Sequence, residues 1–96
     1  MICMNNIQVE NVHDMDHQLM VLYGQSELTV PQYEVAKSTV RQMVTHGFLG
    51  TFAVIDPCAE EENILHVFMF RKLTNTTGDF IRLTINEDGE LDLKKY

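Results

Sequence analysis

No lysine or arginine occurs in the first 36 residues, and none lies between Gln42 and Phe70. With 14 Asp and Glu against 7 Lys and Arg, the chain carries a net charge of −7. It therefore lacks the basic run that a phosphate-backbone binder, or a protein held on an anionic membrane, lays along its contact face. On that ground direct nucleic-acid and membrane binding are not expected, and a basic protein is the partner the charge implies. Long apolar runs are also missing, none approaching the roughly 18 residues that mark a transmembrane helix. The start, Met1-Ile2-Cys3-Met4-Asn5-Asn6, has neither the basic flank nor the apolar stretch of a secretory signal. A cytoplasmic location is expected, where Cys3 and Cys58 stay reduced. There is no glycine-rich phosphate loop, no Ser-His-Asp arrangement with a nucleophile elbow, and no zinc-ribbon cysteine spacing, so no enzyme and no cofactor is expected.

What is present fits a single α+β domain over residues 1–96. Its most legible part is the C-terminal hairpin. Ile81, Leu83 and Ile85 alternate with polar residues, as do Leu91 and Leu93. A two-residue Asp88-Gly89 turn would set Ile85 against Asp92. A three-residue loop, Glu87-Asp88-Gly89, sets Ile85 against Leu91 and Leu83 against Leu93, with glycine at the left-handed position of a bulged type I turn.

Upstream, Met15, Leu19, Leu22 and Tyr23 recur on one face of a helix from Asp14 that Gly24 ends; the run from Leu19 to Tyr23 also reads as a buried strand. Thr29 and Gln32 form a capping box, with Pro31 in the first turn. The stripe Tyr33, Ala36, Val40 and Val44 follows, and Gly47 closes the helix so that Phe48 folds back on Met43. After Gly50 the period changes to two. Thr51 to Ile55 and Ile64 to Arg71 are strands, and the weak alternation Ile7-Gln8-Val9-Glu10 allows a short edge strand. The expected fold is two helices on one face of a four-stranded antiparallel meander.

That sheet is apolar on both faces. Ile64, Phe68 and Phe70 have one parity, and Leu65, Val67 and Met69 the other; Phe80 is opposite in parity to Ile81 and Leu83. Two helices cover one face, so large apolar side chains remain on the other, at a cost of about 25 cal/mol per Å2 left wet. Phe68, Phe70 and Phe80 are thus expected at an interface, with a homodimer or a different partner.

Among polar residues, Asp56, Glu60, Glu61 and Glu62 form one acidic group, with Asp14 and Asp16 as a second; both are expected to contact the basic partner. Acids around Cys58 raise rather than lower its pKa, which argues against a catalytic thiolate. His13 and His17, four apart beside Asp14 and Asp16, are the nearest approach to a metal site, but His13 is expected to precede the helix and no third ligand follows at a recognised spacing. His66, alone on an apolar strand, reads as a core or interface histidine. These features point to a non-enzymatic, protein-binding inhibitor or antidote that occupies a basic surface, in the physical manner of phage anti-defence (anti-CRISPR-like) and toxin-immunity proteins. The alternative is a small homodimeric ligand-binding or regulatory domain.

Overall fold

The computed structural model describes residues 4–9, 12–55 and 64–96, with side chains described over 13–52 and 64–96. The chain runs β1 (Met4–Val9), α1 (Val12–Gly24), α2 (Val30–Thr45), β2 (Leu49–Ile55), β3 (Leu65–Lys72), β4 (Gly78–Ile85) and β5 (Leu91–Lys95). The α+β architecture and the antiparallel meander of β2 to β5 follow the sequence expectation. The weakly alternating N-terminal segment adds a further strand, so the sheet has five strands in the order β1-β2-β3-β4-β5. β1 pairs antiparallel with β2, from Met4 opposite Ile55 to Val9 opposite Gly50. The two helices bridge these neighbouring strands.

The sequence between Asp14 and Tyr23 is helical. Met15, Leu19 and Leu22 are fully or almost fully buried, whereas Tyr23 stays on the rim and stacks on Tyr33 with ring centroids 4.6 Å apart. α1 ends at Gly24, as the sequence implied, but the left-handed residue that closes it comes two positions later. Ser26 takes the left-handed conformation, with φ 61°. The Ser26 N–H donates to Tyr23 O and the Glu27 N–H to Leu22 O, both at 3.0 Å, which closes the helix as a glycine usually does.

α2 begins and ends as its sequence dictates. Gln32 N–H donates to Thr29 Oγ1 at 3.3 Å, and Thr29 N–H donates back to Gln32 Oε1 at 3.1 Å. At the other end Gly47 has φ 91°, and Phe48 N–H donates to Met43 O at 3.1 Å. Ala36 and Val40 are buried, while Tyr33, Met43 and Val44 pack around them.

The N-terminus of α2 is also fastened to the closing hairpin. Gln32 Nε2 donates to Ile85 O at 2.9 Å, and Thr29 Oγ1 donates to Glu87 O at 2.5 Å. Gly89, with φ 82°, lies so close to Pro31 that a Cβ there would stand 3.0 Å from its carbonyl oxygen. The hairpin itself has the derived register, Ile85 opposite Leu91 and Leu83 opposite Leu93. Asn86 Oδ1 accepts from the N–H groups of Asp88 and Glu90, fixing the loop.

The covered face of the sheet contributes Phe52, Leu65, Val67, Met69, Ile81, Leu83 and Ile85 to one core with α1 and α2. Leu91 and Leu93 share that parity but, on the edge strand beyond the helices, remain 43% and 45% exposed. Among the described residues, no helix is long and apolar enough to cross a membrane.

Candidate functional site: the open face of the sheet

Because side chains alternate along a strand, burying Leu65, Val67 and Met69 sends His66, Phe68 and Phe70 to the opposite face. The strand register then fixes which side chains meet. One row runs from Leu49 through Phe70 to Phe80. Tyr96 N–H donates to Phe80 O at 2.9 Å, which adds Tyr96 to that row. The second row is Thr51, Phe68, Arg82 and Lys94, and the third is His66, Thr84 and Asp92.

The rings touch in sequence across these rows. Centroids are 6.4 Å apart from His66 to Phe68, 6.2 Å from Phe68 to Phe80 and 5.5 Å from Phe80 to Tyr96. Phe70, Phe80 and Tyr96 are 44%, 43% and 57% exposed. Lys94 Nζ stands 5.3 Å from the Tyr96 ring centroid, a cation–π distance. Arg82 Nε is shielded from solvent without a hydrogen-bond partner, so its stem lies down on the face. With Lys72 at the end of β3, three cations share this face with one carboxylate, Asp92, among the described strand residues. Beyond Phe70 and Phe80, a recess of about 410 Å3 opens against the turn at residues 74–77. The three apolar residues expected at an interface, Phe68, Phe70 and Phe80, are therefore brought together.

The acidic candidates fare differently. Asp56, Glu60, Glu61 and Glu62, like Cys3 and Cys58, lie outside the described residues. Asp14 sits on the exposed first turn of α1, and Asp16 is ion-paired with Arg41 on α2. His13 lies within α1, not ahead of it, so His13 and His17 are one turn apart and line a cleft of about 460 Å3 with Asp16, Met20, Tyr33, Lys37 and Arg41. The two cations there hold the ring of Tyr33 and the carboxylate of Asp16. Among the described residues no group of three or more His, Cys, Asp or Glu is placed to bind a metal ion.

A polar cluster on the covered side braces the end of β3 and β4 that carries Phe70 and Phe80. Arg71 pairs with Asp79, lies 4.8 Å over the Phe48 ring and donates to His46 O at 3.3 Å. The Arg71 hydrogen bond holds the Asp79 carboxyl below its ordinary 3.8, and the charges of Lys95 and Arg71 add to this against an opposing effect of burial. A depressed folded-state pKa gives stability that is complete above the unfolded value and is lost as pH falls through the folded one. Asp79→Asn is therefore expected to be less stable than the parent at pH 7, with the gap narrowing below about pH 4. Urea midpoints at pH 7, 4 and 3 measure this, and a gap independent of pH would show that the pair contributes nothing through ionisation.

Sequence reasoning grouped the three phenylalanines by parity, without fixing which face the helices cover, and did not name Arg82, Lys94 and Tyr96 beside them. Their signal was available: each has the parity opposite to Leu83 and Leu93 in the hairpin register. Compared with known proteins, the chain matches no family model, no curated protein and no solved structure.

Proposed function

We propose that the protein is a non-enzymatic binding domain of the inhibitor or antidote type, acting by occupancy, with the open face of the sheet as its contact surface. The observation that carries this reading is the row Phe70, Phe80 and Tyr96, 44%, 43% and 57% exposed on a face that no described element covers. Aromatic side chains with arginine beside them are what interface centres are enriched in. The electrostatics of the surface refine the partner. Lys72, Arg82 and Lys94 face outward with Asp92, so an acidic partner complements it better than a basic one. Pairing with a second copy would oppose like cations across the contact, which disfavours the homodimeric reading.

A photo-crosslinking residue placed at Phe80 and, separately, at Met20 on α1 tests the assignment. Met20 is a fair control because it is also exposed, at 55%. In extract from the source cell, the probe at 80 is expected to capture one macromolecule that the probe at 20 does not. Capture through position 20 alone would move the contact surface to the helices, and capture of the chain by itself would favour the dimer.

A further inference from the structure

Resting on that contact surface, we infer that its occupant is single-stranded RNA. Single-strand binding needs two things in one place, rings on which bases stack and cations that follow the backbone. The open face has both. His66, Phe68, Phe80 and Tyr96 form a continuous track with centroids 5.5 to 6.4 Å apart, crossing from β3 through β4 to the residue after β5. Arg82 and Lys94 are register partners in the middle row, and Lys72 lies beyond Phe70. Adjacent rows are about 7 Å apart along a strand, so three rows offer room for two or three bases.

The kinds of side chain on this face favour nucleobases over a protein. On β3, β4 and β5 every large apolar residue of outward parity is aromatic, and the aliphatic ones are all on the covered side; Leu49, on β2, and Ile64, just ahead of β3, are aliphatic residues of the outward parity. Flat faces serve any base, whereas aliphatic knobs serve a protein. Asp92 argues for RNA in particular. A carboxylate only accepts hydrogen bonds and repels phosphate, but a ribose 2′-hydroxyl can donate to it.

Net charge alone points the other way, and geometry answers it. Among the described strand residues, alternation places three cations, Lys72, Arg82 and Lys94, on this face with one carboxylate, Asp92. Along its shortest principal axis the molecule measures 21 Å, more than twice the screening length of about 8 Å at physiological ionic strength. The acids on the helices therefore act weakly at the open face.

The test is fluorescence anisotropy with labelled ten-nucleotide RNA of mixed sequence, the same sequence as single-stranded DNA and as duplex RNA, and polyglutamate. Single-stranded RNA is expected to bind most tightly. Raising salt from 50 to 200 mM is expected to weaken it roughly 20-fold, since each of three phosphate contacts adds about −0.7 to the logarithmic slope. Phe80→Ala and Tyr96→Ala, both at exposed positions, are each expected to lose about tenfold. Arg82→Glu with Lys94→Glu is expected to abolish binding, and Asp92→Asn to remove the preference for RNA over DNA. No RNA binding, equal binding of polyglutamate, equal binding of DNA by the parent chain, or full affinity in both aromatic variants would overturn the inference. If every oligonucleotide fails while a probe at Phe80 captures a protein, RNA is excluded and the contact surface stands; if both fail, both readings fall.

Discussion

Gln32→Leu is expected to cost about 3 kcal/mol, lowering the thermal midpoint of a domain of this size by roughly 15 °C. Among the described residues, Gln32 is the buried polar residue of the core, at 0% exposure. Its amide works in two directions. Oε1 accepts the Thr29 N–H at the start of α2, and Nε2 donates to Ile85 O at the end of β4, 53 residues away in sequence. Leucine keeps most of the volume, so the change isolates the hydrogen bonds. Losing half of a capping box costs about 1 kcal/mol, and removing the partner of a buried carbonyl costs about 1 to 3 more. Thr29→Ala breaks the cap and the contact to Glu87 but spares the bond to Ile85, so it is expected to cost less. Urea denaturation of both variants measures the difference. A cost below about 1 kcal/mol for Gln32→Leu would mean that the latch between helix and hairpin is incidental.

This residue also marks where the sequence stops being readable. The capping box is local, a spacing of three that any scan recovers, and so is the bulged hairpin, whose register follows from parity and loop length. The bond from Gln32 to Ile85 joins two correctly read elements through a docking geometry that neither encodes alone. Tyr23 shows the same limit. Its spacing belongs to the apolar stripe of α1, yet it stacks on Tyr33 at the rim because the second helix ends the core there.

Parity predicted that one face of the sheet would be left with large apolar side chains, but not which face. Both faces of β3 are apolar, and the choice was made by where Met15, Leu19, Ala36 and Val40 came to rest. Charge read along the chain averages over what a sheet separates. Residues 71–96 are neutral as a segment. A strand pair sorts its side chains by alternation, however, and the hairpin register puts Arg82 and Lys94 side by side on the face opposite Asp79. The absence of a basic run in sequence was therefore no guide to the charge of a surface built across three strands.

Phe52→Ala and Phe80→Ala, the same substitution on the two faces of one sheet, are expected to differ by about 3 kcal/mol in their effect on stability. Phe52 is at 0% exposure and heads the largest fully buried side chains; truncating such a ring removes its transfer energy and leaves a cavity, together about 3 to 5 kcal/mol. In a domain whose whole stability is on the order of 5 to 10 kcal/mol, that removes a large share. Phe80 is 43% exposed, with its contacts to Phe68 and Tyr96 made along the surface. Its loss leaves no enclosed void, and about 1 kcal/mol is expected. Linear extrapolation from urea unfolding of the two variants resolves a gap of this size. A small cost at Phe80 means that folding does not account for the ring, which is what a binding surface requires. A cost near that of Phe52 would make the aromatic row a second, minor core, and the open face would lose its claim to be a binding surface.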